Sequence, residues 1–291
     1  MATQGEVEEE RIAYLNYCIK TYAQVRDVVS STKNRLQSLP GDHPVQFDRI
    51  LHREDKEEGL LSIKGKLGRM IEKELENYDI WNYWLKGVPG IGPAIAGELI
   101  MIYYHRYIPV CKDCMTRLEK RDGTYWCSHC EKSVKGEGNL DYLLDKSKDF
   151  PNISKWWAYM GRDIKDGAMR KRVKGGKIEN GENNWGNPKR RIGWLIGESF
   201  NKQDPDHLYK KVLLDEKAKY ERTQPDISKG WRHNKAKNNA VKLFLAHFWT
   251  VARTLDGKSV TEPYAMTIMG HTGYVAPFYW TPLEEEVTIA L

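Results

Sequence analysis

Four cysteines are spaced for metal chemistry. Cys111-x-x-Cys114 and Cys127-x-x-Cys130 lie twelve residues apart, with the turn-forming pair Asp122-Gly123 between them. Two such knuckles can converge on one tetrahedral ion, and zinc suits four thiolates because it brings no redox chemistry and accepts that geometry readily. Four cysteine ligands leave no open position for water, so the expected Zn²⁺ is structural rather than catalytic. Its binding then supplies folding energy to a loop with little core of its own. His129 stands between two of the ligands and is expected at the surface. Cysteines paired in this way suit a reducing compartment better than disulfides.

A second cluster is built from glycine. In GVPGIGPAIAGELI, Gly87, Gly90 and Gly92 surround Pro89 at the junction of two apolar segments. The spacing resembles a helix-hairpin-helix, in which glycine permits a tight turn and amide N–H groups at the start of the second helix face a phosphate, aided by the helix dipole. Such a contact reads the nucleic-acid backbone and not its sequence. A Gly-Pro turn between two core helices gives the same pattern with no ligand, and Ala94, Ala96 and Leu99 pack inward on either reading.

Positive charge is concentrated downstream. Between Arg162 and Arg191 stand ten Lys/Arg against four Asp/Glu, and between His207 and Lys242 another ten against four. Together these stretches exceed the net charge of +6 on the whole chain, so the remainder is acidic, beginning with Glu6, Glu8, Glu9 and Glu10. This asymmetry points to a polyanionic partner. Arg170, Lys171, Arg172, Lys174, Lys177, Lys189, Arg190 and Arg191 are candidates for phosphate contact. Trp156, Trp157, Trp185 and Trp194 stack bases or fill the core; most are expected in the core, with Trp185, in a Gly/Asn-rich loop, the candidate for an exposed one. Asp163, Asp166, Glu179 and Glu182 read as ion-pair partners rather than metal ligands. No segment reads as a signal peptide and no apolar run approaches the ~20 residues of a membrane span. The expectation is a cytoplasmic, nucleoid-associated protein with no membrane partner.

These residues need a scaffold. Ile12, Leu15, Ile19, Tyr22 and Val29 recur at helical spacing, LPGDHP at 39–44 breaks the pattern, and Leu60, Ile63, Leu67, Met70, Ile71 and Leu75 resume it. The two stretches predict an antiparallel helical hairpin or coiled coil, within one chain or between copies in a homo-oligomer. Further helical pattern covers Arg190–Asn201 and Ala236–Leu255. The expected fold is mainly α: a helical hairpin over 1–80, a helix-hairpin-helix over 81–106, a small β zinc-ribbon insertion over 107–135, a basic helical region over 136–260 and a tail over 261–291. In the tail, His271 has no partner in sequence that would mark it as catalytic, and it reads as a packing residue.

The order of these motifs resembles a family. The helical hairpin, then GVPGIGPAIAGELI, then Ala158-Tyr159-Met160-Gly161, then Gly175-Gly176-Lys177, then Gly186-Asn187-Pro188-Lys189-Arg190-Arg191 looks like the C-terminal domain of the insertion-sequence transposases that pair a RuvC-like DEDD nuclease domain with a serine-bearing helix-hairpin-helix domain, the bridge-RNA recombinases. The likeness covers about residues 60–105 and 150–255, with the zinc ribbon inserted between. It implies DNA transposition and recombination as the ancestral activity, DNA as partner, structured RNA as a further one, and Mg²⁺ only where catalysis occurs. Two departures qualify it. The family's catalytic serine would precede the Gly-Gly turn, where this chain has Lys174, and no serine lies between Ser154 and Ser199. The family's nuclease domain would lie upstream of the hairpin at which this chain begins. The expectation is therefore DNA binding without catalysis by this chain alone. The alternative is an active recombinase with a displaced nucleophile, Tyr159 being one conceivable hydroxyl, or with a separate RuvC-like subunit.

Overall fold

The apolar stripe of the first 75 residues folds into two helices that pack against each other within one chain. The computed structural model describes residues 4–45, 48–52, 58–121, 124–134, 140–145, 149–165, 168–169, 187–260 and 275–281. Helix α1 spans Gln4–Gln37 and α2 spans Leu60–Leu75. They run antiparallel: Arg11 near the start of α1 lies 3.9 Å from Glu74 at the end of α2, while Val29, Leu36 and Leu51 form a cluster with Leu60 and Leu61. Ile12, Leu15, Ile19, Leu67, Ile71 and Leu75 are buried along the stripe, as the i, i+3, i+4 spacing requires.

By its internal packing the chain divides into two units, one formed by Met1–Glu98 with Phe150–Leu291 and the other by Leu99–Asp149. In the first, α3 (Asp79–Tyr83) and a 3₁₀ turn (Leu85–Gly87) lead through the glycine turn into α4 (Pro93–Tyr103). Among the described residues four more helices follow: α5 (Ile153–Tyr159), α6 (Asn187–Asn201), α7 (Leu208–Thr223) and α8 (Lys229–Leu255). Helix α8 is the axis of the core. Trp84 stacks on its Phe244 with ring centroids 5.5 Å apart, and Trp156 on its Phe248 at 5.8 Å. Buried indoles need an acceptor. Trp84 donates to the carbonyl of Phe278 at 2.7 Å, Trp156 to that of Leu245 at 3.1 Å, and Trp249 to that of Phe150 at 2.7 Å. Truncating any of these side chains to alanine removes about 3–5 kcal/mol.

Helix α7 has no counterpart among the expected elements. Its buried apolar face is narrow, Tyr209 and Leu213, so its periodicity does not stand out. Much of its hold on α8 is polar, with Asn239 donating to Glu216 at 2.5 Å and to the Tyr220 hydroxyl at 2.8 Å. Helix α8 starts seven residues before its apolar pattern does, because Ser228 caps it by accepting the Trp231 N–H at 3.3 Å.

The second unit is β-rich after the end of α4. Strand β1 (Arg106–Cys111) pairs antiparallel with β5 (Leu140–Asp145), and β2 (Glu119–Arg121), β3 (Thr124–Cys127) and β4 (Lys132–Val134) form a separate meander. Strand β5 lies beyond the 107–135 stretch expected for the ribbon, and the unit runs on to Asp149. In the first unit, β6 (Ile164–Lys165) and β7 (Ala168–Met169) make a short antiparallel pair after α5.

Candidate metal centre and nucleic-acid interface

The cysteine knuckles converge as their spacing demands. The sulfurs of Cys111, Cys114, Cys127 and Cys130 all lie within 4.8 Å of one another, with Cys111 to Cys130 at 3.9 Å and Cys114 to Cys127 at 3.5 Å. Tetrahedral coordination at a Zn–S distance of ~2.3 Å puts neighbouring sulfurs ~3.8 Å apart, so the cage fits that ion. These separations are far beyond a disulfide bond. The knuckles match in backbone as well: Met115 and Glu131, each just after a second cysteine, have φ of 56° and 49°. The Cys130 amide also donates to the Cys127 sulfur at 3.3 Å. Leu118 and Val134 complete a small core against the cage, with Tyr125 beside it. Crowding splits the thiols. Hydrogen bonding with Thr116 brings Cys114 down to about 6, and its own bond with Cys114 pushes Cys130 up to about 12. Four thiolates this close need a cation to be ionised together. His129 is exposed and outside the cluster. Among the described residues this is the one group of His, Cys, Asp or Glu close enough to hold a metal ion such as zinc.

The glycine turn is seated on α6. Gly90 has φ of 88°, which a side chain tolerates poorly, and Ser199 of α6 donates its hydroxyl to the Gly90 carbonyl at 2.5 Å. Gly87 and Gly92 face open space. Pro93 opens α4, and the amides of Ile95 and Ala96 both donate to the Gly92 carbonyl at 3.0 Å. Ala94 keeps the free first-turn N–H, a smaller donor set than the motif suggests. Ala96 and Leu99 are buried, and Ala94 is half-buried.

Of the basic candidates, Lys189, Arg190 and Arg191 are the third to fifth residues of α6. Lys189 lies over the Tyr159 ring, 3.3 Å from its centroid, and Arg191 approaches Asp27 of α1 at 3.5 Å. Arg170, Lys171, Arg172, Lys174, Lys177 and Trp185 lie outside the described residues, as do the Gly175-Gly176 turn, Asp166, Glu179, Glu182 and His271. Tyr159 is buried and packs on Phe150 at 5.0 Å, a core group rather than a poised nucleophile. Trp156 is fully buried. Trp157 is half-buried, with its N–H on the Lys242 carbonyl at 3.0 Å, whereas Trp194 and Trp231 are exposed.

Arg162 and Lys237 were not among the candidates, and both are buried cations. The YMGR sequence ends α5 in a Schellman turn: Gly161 has φ of 65°, its N–H reaches Ala158 O at 3.1 Å, and Arg162 N–H reaches Trp157 O at 2.8 Å. That turn sends Arg162 against α6 at Gly193, where its Nη1 donates to Asn238 of α8. Burial, with the Arg190 charge adding to it, brings Arg162 down to about 10. One turn along α6, the stem of Lys237 crosses Gly197 and its ammonium pairs with Glu198. The legible signal was Gly193-x-x-x-Gly197, two glycines on one helix face, which marks a groove for something long.

No protein-family model matches the chain, and no curated protein or solved structure is similar to it. Among the described residues no helix is long and apolar enough to cross a membrane.

Proposed function

We propose that this chain is a DNA-binding protein descended from insertion-sequence transposases, gripping the phosphate backbone through the glycine turn and the basic start of α6. The observation that carries this reading is the Ser199–Gly90 hydrogen bond. It joins the turn to the helix that bears Lys189, Arg190 and Arg191, two motifs about a hundred residues apart in sequence. From Arg190 to Ser199 the helix rises about 14 Å, the rise of about four base pairs, so both ends can follow one stretch of duplex. The four-cysteine cage holds a structural Zn²⁺ that leaves no coordination site for substrate. Strand transfer is not expected of this chain alone, because Lys174 stands where a serine would attack and Tyr159 is packed in the core.

The test is duplex affinity against salt. About four phosphate contacts weaken binding about 100-fold between 50 and 200 mM salt. Arg190→Ala should weaken binding uniformly across sequences and reduce the salt slope by about one. Salt-independent binding, or none at low salt, removes the reading. Incubation with supercoiled DNA and Mg²⁺ should leave the plasmid intact; nicks or covalent adducts would establish the active recombinase instead. Competition by a structured RNA shows whether RNA shares the surface.

A further inference from the structure

A small pocket of about 170 Å³ lies between α6, α8 and the turn that follows α5. Arg162 and Arg190 supply its charge, Asn234 and Asn238 its amides, and Trp194 one wall. Lys237 also lines it, but its ammonium is already paired with Glu198. The volume far exceeds the ~10–15 Å³ that one water requires.

Arg162 is the unusual member. It is 4% exposed, its Nε has no hydrogen-bond partner among the described residues, and its Nη1 meets only the neutral Oδ1 of Asn238. A buried guanidinium normally keeps a carboxylate or a full set of acceptors, since an uncompensated buried charge is costly. The charge felt at Arg162 here is that of another cation, Arg190. Asn238 spends its oxygen on Arg162, which leaves its Nδ2 as a donor, and Asn234 adds a second amide. Among the described residues the pocket's lining is thus made of guanidinium, amide and ammonium donors and holds no carboxylate. Beside it Trp194 is 54% exposed on α6, an aromatic face next to a cationic hole.

We propose that Arg162, Arg190, Asn234 and Asn238 hold one phosphate of a nucleic-acid strand while the adjoining base stacks on Trp194. The inference rests on the DNA-binding reading and deepens it. Guanidinium and amide donors match phosphate oxygens, and stacking on an exposed indole is tolerant of base identity, so the site reads strand and not sequence.

The test uses the full chain labelled with 5-fluorotryptophan, the Trp194 fluorine resonance being assigned with Trp194→Phe. Titration with a twelve-nucleotide dT strand should shift that resonance. Asn238→Asp keeps an acceptor for Arg162, so it should fold, but it puts a negative charge in the pocket; anisotropy should show at least tenfold weaker binding and a smaller salt slope. Trp194→Ala, at an exposed position, should weaken binding at least fivefold with the salt slope unchanged. If the wild type binds the strand while both variants match it and the Trp194 signal stays fixed, the pocket is refuted and the wider reading survives. If the wild type binds no strand or duplex at low salt, both fall. If dTMP or inorganic phosphate moves the Trp194 signal as far as the strand does, the strand assignment is overturned in favour of a small phosphate ligand.

Discussion

The stem of Lys237 crosses α6 at Gly197: a Cβ there would lie 2.7 Å from Lys237 Cγ and 3.0 Å from its Cδ. Four residues earlier, a Cβ on Gly193 would lie 2.5 Å from Arg162 Nη2. Two long cations are thus laid across one helix where it has no side chains, and their charged ends are brought to α8 residues or to Glu198.

Gly197→Ala sets two effects against each other. Alanine gains about 1 kcal/mol of helix propensity, but overpacking against a buried stem costs about 1–3 kcal/mol. The atoms in the way belong to the middle of the Lys237 side chain and to Val241, not to a mobile end. Net destabilisation of about 1 kcal/mol is expected in urea unfolding. A more stable variant would show that Lys237 does not pass there.

The three glycines of the turn should separate by substitution. Gly90→Ala combines a φ of 88° with a Cβ 2.9 Å from Ser199 Oγ, and should cost about 2 kcal/mol. Gly87→Ala and Gly92→Ala meet nothing within 4 Å and should melt like the wild type. Weaker duplex binding by Gly92→Ala at unchanged melting temperature would identify a direct contact, and unchanged binding would remove Gly92 from the interface.

His247 should make the fold acid-sensitive. Its Nε2 meets the Val275 carbonyl at 3.0 Å, so that nitrogen carries the proton, and its Nδ1 accepts from the Tyr209 hydroxyl at 2.7 Å. Burial pushes the imidazole down to about 4 from its ordinary 6.5. Between those values the unfolded chain binds a proton that the folded chain refuses. Stability is therefore fully present above about 6.5 and falls as pH is lowered, by up to about 3 kcal/mol near pH 4. Urea midpoints at pH 7 and 4.5 should differ less in His247→Asn than in the wild type. An equal difference would mean that other groups carry the effect.

Metal removal should act locally. Elemental analysis of reduced protein is expected to find about one zinc per chain. Chelation or Cys127→Ser should abolish metal binding and the protection of the β1 to β5 amides from hydrogen exchange, since much of that unit's order derives from the ion. The helical circular dichroism of α1, α2 and α6–α8 should survive. Full amide protection in metal-free protein would show that the unit needs no ion.

The cysteine cage was legible in the sequence because its geometry is local: two knuckles and a hairpin need nothing outside 25 residues. The α1–α2 pair and the cores of α6 and α8 were legible because a long apolar stripe admits one burial. Sequence periodicity could not reveal α7, whose hold on α8 rests in part on Asn239, Glu216 and Tyr220, polar groups that leave no apolar pattern. It also missed β5, which finds its partner β1 about thirty residues away.

Tertiary structure alone decided which tryptophans are core. Trp84, Trp156 and Trp249 are buried and Trp194 is exposed, although all are the same residue type, because which face of each element is covered is set by packing. It also decided the fate of Arg162, one arginine among many in sequence. The α5 turn and the gap at Gly193 make it a buried cation that meets no carboxylate among the described residues, and neither condition exists until the helices have docked.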